Sequence, residues 1–499
     1  MPELAKAKRR TGAAENRRTA EPTKRRFGET ENRGGKNVGP IPRRSVSPIL
    51  GRRGADPRAL ALEILLRVEA TDAYANLLLD ARLGKGGLAG PDRALATELV
   101  YGVLRWRGKL DWMLSHVLDR PIAVLDPAVR QILRLGTYQL CCLTRIPDFA
   151  AVDQSVRLSR QARAGRSASY VNAVLRSVAR QREWPVLDAT ADPVGYWETA
   201  GSHPGWLAER WVARLGAVDA GRLMEANNTV PPLTVLVNRL RAKVEEVHHA
   251  LSGAVPDVVP GRWVSGAFSM RRAGSPADLP GFASGWAIPM DEAGALPVLA
   301  LDPLPGQRVL DACAGGGSKS ALIAASVGDE GEVVALDRSP RALRRMEMAI
   351  RRLGLHMVRP RLADARAAGG EWPGQFSRVL LDAPCTGLGT IRRRPEIRWR
   401  RQPEDLPRAA MLQRELLEGV AGAVALTGFL VYSTCSLEPE ETDEVVAAFL
   451  RAHPEFCLDD PGPTLRQAAD LVDDSGCMRA WPHRHGTDGF FVARLRRIR

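Results

Sequence analysis

The sequence predicts a multidomain chain: an all-α N-terminal region, a small α+β linking segment, and a C-terminal α/β domain with a mostly parallel sheet. Three observations carry this. From Pro57 to about Arg182, apolar residues recur at helical spacing (ALALEILLRV, LATELVYGVLRW, PAVRQILRLGTYQLCCL) and strand-like alternation is missing. From Glu183 to Leu304 the signals are mixed: SHPGWLAERWVARLG reads as a short amphipathic helix and LTVLVNRL as a strand after the Pro231–Pro232 break. From Gly306 onward strands and helices alternate, the pattern of a parallel sheet covered on both faces. These shifts divide the chain into residues 1–55, 56–182, 183–304 and 305–499.

A chain of 499 residues, 45% hydrophobic, has room for two or three full cores. Its longest apolar runs fall short of the roughly 18–20 residues a membrane helix needs, and MPELAKAKRR lacks the apolar core of a signal peptide. Seven cysteines (Cys141, Cys142, Cys313, Cys385, Cys435, Cys457, Cys477), odd in number and without C-x-x-C spacing, argue against a disulfide framework or structural zinc. A reducing cytoplasm is expected, with no membrane and no metal. Residues 1–55 hold 15 Lys/Arg against 5 Asp/Glu, so +10 of the net +14 lies there. Rich in Gly, Pro, Ser and Thr, this stretch reads as a disordered basic arm, either a solubilising tail or a salt-dependent contact to nucleic-acid phosphates.

The last domain opens with RVLDA as a strand and SKSALIAASV as a helix, joined by a glycine loop. EVVALD is the next strand, and RALRRMEMAIRRLG the next helix, with Pro340 near its start and Gly354 as C-cap. RVLLDAP, GFLVYSTC and GFFVARLRR are further strands. In such a sheet ligands bind at the carboxyl ends of the strands, where Gly315, Gly316 and Gly317 would let a ligand approach the backbone. Asp337 ends the second strand, 26 residues after Asp311, where a carboxylate suits the two hydroxyls of a ribose. Asp364, ending the third, is placed for a base. A phosphate-binding loop would have glycine before the lysine, but Ser318 precedes Lys319; a dinucleotide loop would have a third spaced glycine, which is absent. An adenosyl cofactor without phosphates fits, which points to S-adenosyl-L-methionine.

Two cysteines, Cys385 in LLDAPCTGLG and Cys435 in VYSTCS, each follow a strand end, a pattern that suggests sulfur chemistry. Carbon 5 of cytosine is a poor nucleophile until a thiolate adds to carbon 6. Such a thiolate needs an electropositive, partly exposed site. The segment GTIRRRPEIRWRR supplies Arg392, Arg393, Arg394, Arg398, Arg400 and Arg401 around Trp399, read as a patch for RNA phosphates with one aromatic for stacking. Its plainer reading is an exposed basic loop. Chemistry alone leaves open which cysteine attacks.

DACAGGGSKS, ALDRS, LLDAPCTGLGTIRRRPEIRWR, VYSTCSLEPEE and DGFFVARL closely resemble the motifs of the RNA 5-methylcytosine methyltransferases of the NOL1/NOP2/Sun family. Upstream, YGVLRWRGKLDWML, LGTYQL, TRIPDFAAV and YVNAVLR resemble a NusB-like RNA-binding domain, and HPGWLAERW and EANNTVPPLTVLVNR the segment that links it to the catalytic part. The resemblance covers about Asp56 to the C-terminus. It implies a class I (Rossmann-like) methyltransferase domain that moves a methyl group from S-adenosyl-L-methionine to C5 of a cytidine in 16S ribosomal RNA, free or in a partly assembled small subunit; a monomer is expected. It implies Cys435 as the nucleophile, Cys385 as an aid to product release, and Asp382 as the group at cytosine N3. The cofactor loop maps onto Cys313, Ala314, Gly315, Gly316, Gly317, Ser318 and Lys319, with Asp337 on the ribose, Asp364 near the adenine and Asp382 bordering the site. Two departures stand out: Gly316 and Ser318 where Pro and Gly are common, and Met290 where Gln is common. The competing readings are a non-catalytic RNA-binding or antitermination protein with a relic methyltransferase domain, and an NAD-dependent enzyme.

Overall fold

The structure is a computed structural model. It describes residues 56–499 except 85, 163, 182 and 186, so the basic arm expected at 1–55 lies outside the described residues. Asp56 caps the first helix by accepting the amide of Arg58, with Pro57 at the first helical position. Seven helices follow: α1 (Pro57–Ala70), α2 (Ala75–Leu83), α3 (Gly90–Arg105), α4 (Arg107–Ser115), α5 (Pro127–Cys142), α6 (Asp148–Gln161) and α7 (Ala168–Arg180). Their apolar stripes meet in one core around Leu62, Leu65, Leu99, Ile132 and Leu133. Helices α3 and α5 approach closely at Gly102, where a Cβ would fall 2.0 Å from the Tyr138 ring.

The linking region begins with α8 (Pro193–Glu198) and α9 (Gly205–Asn227). The short helix expected there instead continues past Gly216, whose φ of 77° breaks the regular turn before the chain resumes and buries Leu223 and Met224. An antiparallel sheet in the order β2-β3-β1-β4 follows, built from β1 (Leu233–Val237), β2 (Val259–Pro260), β3 (Ala267–Met270) and β4 (Ala287–Pro289) and covered by α10 (Val244–Ala254). Strand β1 starts directly after the Pro231–Pro232 break, because proline removes the donor a ladder needs. Helix α11 (Glu292–Leu301), although within residues 183–304, is apolar on nearly every side and packs onto the C-terminal sheet.

That sheet has the order β10-β12-β9-β8-β5-β6-β7, with β11 paired to β12. Its parallel strands are β5 (Arg308–Asp311), β6 (Glu332–Asp337), β7 (Val358–Leu362), β8 (Phe376–Asp382) and β9 (Val424–Thr434). The strands β10 (Phe456–Asp459), β11 (Met478–Ala480) and β12 (Phe490–Arg497) add in antiparallel fashion. Between the strands run α12 (Ser318–Val327), α13 (Pro340–Leu353), α14 (Ala368–Glu371), α15 (Ile397–Arg400), α16 (Asp405–Ala421) and α17 (Asp443–Ala452). Two apolar cores, one on each face, enclose the sheet. From β5 the chain steps outward to β6 and β7, then crosses back to β8, so the order reverses between β5 and β8. Such a switch point opens a crevice at the strand ends. Among the described residues, no helix is long and apolar enough to cross a membrane.

Candidate functional site

At the switch point the loop after β5 faces the corner after β8. Gly315 and Gly317 have φ of 58° and 82°, which glycine adopts without strain. A Cβ at Gly317 would meet Met346 at 2.6 Å, whereas one at Gly315 or Gly316 would meet nothing within 4 Å. The loop therefore packs at one end and borders open space at the other. Asp337 accepts the amides of Gly315 at 2.9 Å and Ser339 at 2.7 Å, which ties the loop to the end of β6. Asp364 sits two residues beyond β7, caps the next turn through the Arg366 amide and pairs with the Arg366 guanidinium, which holds its carboxyl below the usual range. Asp311 is fully buried, accepts from the Ser320 hydroxyl at 2.7 Å, and is pushed up to about 7 by burial. Cys313 is raised by burial and by the surrounding carboxylates, so it stays a thiol.

Strands β8 and β9 are parallel neighbours with Asp382 opposite Ser433. Cys385 lies three residues beyond β8 and Cys435 directly follows β9, at the same end of the sheet. Their Sγ atoms are 3.2 Å apart, hydrogen-bond distance for a thiol and a thiolate. Asp382 lies beside them, accepting from Lys319 Nζ at 2.6 Å and from the Ser433 hydroxyl at 2.9 Å. The hydrogen bond with Cys385 lowers the Cys435 thiol, helped by the cations Arg394 and Lys319. The same bond raises Cys385, together with burial and the Glu441 carboxylate. The two thiols are thus shifted in opposite senses, Cys435 down and Cys385 up.

The arginine-rich stretch requires a correction. Arg392 and Arg398 are 5% and 0% exposed, and the stretch is an internal seam rather than an open patch. Arg398 donates to Ser202 O, Asn227 O and Asn228 Oδ1. Trp399 donates its indole N–H to Leu104 O, and Arg400 spans Val68, Thr71 and Ala73 carbonyls at the end of α1. Arg392 donates to Gly486 O and takes the Arg105 guanidinium on its own carbonyl; Arg393 is held by Asp291 and Asp488. The reason is physical: the buried guanidinium groups find fixed oxygen acceptors for their terminal nitrogens, although Nε of Arg392 and of Arg398 has none. Arg394 alone of the six is exposed, lies over the Tyr74 ring at 5.0 Å, and reaches the cysteine cavity.

That cavity, about 400 Å³, joins both halves of the site. Cys313, Asp337, Asp364, Asp382, Cys385 and Cys435 all line it. Sequence reasoning missed three features here. Tyr74 reaches the rim from the helical region; nothing in its local sequence distinguishes it. Gln413 and Glu441 are buried beneath the cysteines, and Glu441 was concealed within the acidic run EPEE, which reads as a solvated turn. Among the described residues, no group of three or more His, Cys, Asp or Glu side chains could hold a metal ion.

Comparison with known proteins agrees with this architecture. The profile of the 16S rRNA methyltransferase RsmB/F family matches residues 298–496, that of the NusB family residues 55–180, and that of the ferredoxin-like domain of RsmF/B-like methyltransferases residues 203–275. The chain is 37% identical to the probable ribosomal RNA small subunit methyltransferase B of Bacillus subtilis, over 88% of this chain and 98% of that one. It is 33% identical to the ribosomal RNA small subunit methyltransferase B of Pseudomonas putida, over 89% and 99%. The crystal structure of PH0851 superimposes with a TM-score of 0.74 at 26% identity, covering 89% of this chain and all of the other. With a NusB domain, a ferredoxin-like subdomain and a methyltransferase fold in that order, the chain belongs to the RsmB/F family of rRNA methyltransferases.

Proposed function

We propose that this protein transfers a methyl group from S-adenosyl-L-methionine to C5 of a cytidine in 16S ribosomal RNA, through a transient bond between Cys435 and C6. The observation that carries the reading is the sulfur pair at 3.2 Å beside the Lys319–Asp382 ion pair. Four groups at one strand end supply what C5 chemistry needs: a thiolate, a second thiol, a hydrogen-bonding carboxylate and a cation. The names of the similar proteins support ribosomal RNA of the small subunit as the substrate.

An adenosyl group fits the side of the cavity lined by Cys313, Asp337 and Asp364, next to a loop whose Gly315 and Gly316 border open space, and Asp337 keeps acceptor capacity beyond its two amide bonds. Residues 313–319, Asp337, Asp364 and Asp382 would hold it. When bound, it supplies an electrophilic methyl group. The protein's own residues do the rest. Cys435 attacks C6 as a thiolate, and ring electrons move toward C5 while a proton shared between Asp382 and N3 neutralises the charge that develops on the ring. After C5 is substituted, its proton leaves to a base, the C6–S bond breaks, and the electron pair returns to Cys435. Cys385 assists that release.

The RNA backbone needs cations other than the buried seam. Helix α13 turns Arg341, Arg344, Arg345 and Arg351 outward, and Arg338 lies at the cavity wall. We assign phosphate contacts to these and to Arg394. A cytoplasmic enzyme acting as a monomer on RNA or a partly assembled subunit fits this activity. A pure RNA binder would have no use for the Lys319–Asp382 pair beside two thiols. Radiolabelled methyl incorporation into undermethylated 30S RNA tests the reading: label in cytidine supports it, and binding without label rejects it.

A further inference from the structure

Glu441 lies beneath the two cysteines in the turn between β9 and α17 and is fully buried. Its Oε1 accepts the Thr386 amide at 2.8 Å and the Gln413 side-chain amide at 3.0 Å. Its Oε2 accepts the Ser436 hydroxyl at 2.6 Å and also the Thr386 hydroxyl. Burial raises its carboxyl, and these four donors oppose that by filling the roughly four acceptor sites of the ionised form. Thr386 directly follows Cys385, and Ser436 directly follows Cys435. One side chain thus ties together the two loops that carry the sulfurs. Gln413 extends the tie by donating to Pro384 O at 3.1 Å, just before Cys385, and by accepting from the Tyr432 hydroxyl at 3.1 Å. Buried networks of this kind are rigid when every member is bonded.

We propose that Glu441 is the positioning residue of the cysteine pair: it fixes the spacing of the sulfurs, and its charge keeps their shared proton on Cys385, so that Cys435 is the anion. The charged groups around the pair are asymmetric in the sense this requires. Lys319 from α12 and Arg394 from the loop before α15 act on Cys435, Glu441 acts on Cys385, and Asp382 from β8 acts on both. Removing Glu441 leaves the cations in place but withdraws the anion that disfavours a thiolate at Cys385. Glu441 touches neither sulfur, so its action runs through the loops and the field. The proposal rests on the assignment of Cys435 as nucleophile, yet its first test needs neither RNA nor cofactor.

The experiment labels the full chain with iodoacetamide between pH 6 and 10 and reads each cysteine by mass spectrometry. In the parent protein Cys435 should label faster than Cys385 near neutral pH. In Glu441→Gln, which keeps the shape and removes the charge, the ratio of the two rates should fall tenfold or more. Affinity for S-adenosylmethionine should stay within twofold, because the cofactor loop is untouched. Ser436→Ala, which cuts one tie and keeps the charge, should retain the labelling ratio while kcat for methyl transfer falls severalfold at unchanged KM. A parent-like ratio in folded Glu441→Gln overturns the proposal. Should that variant fail to fold, the decision passes to Glu441→Asp and Ser436→Ala: a kept labelling ratio with reduced kcat supports the proposal, and unchanged kcat in both overturns it. Absence of methyl transfer in the parent would reject the proposed function and leave the labelling result intact.

Discussion

Cys385 and Cys435, fifty residues apart in the chain, bring their sulfur atoms to 3.2 Å because Asp382 and Ser433 pair in register on adjacent parallel strands. The field around that pair is completed from another element, the first turn of α12, where Lys319 bonds Asp382 at 2.6 Å. Lys319 is also one of the cations that lower Cys435. Lys319→Met should therefore raise the Cys435 thiol toward its ordinary value near ~8.5. The rate of methyl transfer at neutral pH should drop by roughly tenfold or more, as expected when less of the thiol is ionised. A kcat-against-pH profile checks this: its rising limb should move to higher pH.

Asp311 gives a stability prediction with a definite sign. Its carboxyl is pushed up to about 7, so the folded state binds a proton that the unfolded state releases near ~3.9. Its contribution is fully present below the unfolded value and is lost as pH rises through about 7. Asp311→Asn keeps an acceptor for the Ser320 hydroxyl and does not titrate. Thermal melts at pH 5 and pH 8 should show the parent losing more stability than the variant over that interval.

Gly316 occupies a position open on its Cβ side, with no φ in the left-handed region. Proline there should meet no obstacle and should remove freedom from the unbound loop. By the usual gain of about 0.4–1 kcal/mol for such a change, Gly316→Pro should tighten S-adenosylmethionine binding by roughly two- to fivefold. Isothermal titration of the two proteins measures it directly.

The buried and exposed arginines should separate cleanly. Arg398→Ala leaves three acceptors without their donor in a fully buried position, and should cost about 2–5 kcal/mol of stability by the combined loss of packing and hydrogen bonds. The salt dependence of RNA binding should not change. Replacing Arg341, Arg344 and Arg345 on α13 with Gln should leave the melting curve near that of the parent. It should also lower the slope of log affinity against log salt by about 0.7–0.9 per lost phosphate contact. Urea unfolding and RNA titrations at several salt concentrations distinguish the two sets.

Much of the catalytic domain was legible because its local signals agree with its tertiary role. SKSALIAASV became α12, the Pro340-to-Gly354 segment became α13 with Gly354 in the left-handed cap, and both cysteines closed strands as expected. What failed to show was long-range. The arginine stretch looks like a solvated surface because composition carries no record of the carbonyls of α1, α3 and the end of α9 that fold against it. Apolar residues within it, Ile391 and Ile397, were the available hint, since both are buried. Glu441 was hidden for the opposite reason: an acidic turn is usually wet, and only the fold places Thr386, Ser436 and Gln413 around it. Gly216 reads as a helix stop, yet tertiary packing of Leu223 and Met224 restarts the helix beyond it.

The most direct measurement of the central claim is the covalent complex itself, resolved on a denaturing gel after mixing protein, S-adenosylmethionine and undermethylated small-subunit RNA. Cys385→Ala should accumulate a protein–RNA adduct that persists, because attack by Cys435 proceeds while release is slowed. Cys435→Ala should give neither adduct nor methylated cytidine. An adduct formed by Cys435→Ala, or normal methylation without that sulfur, would contradict the account.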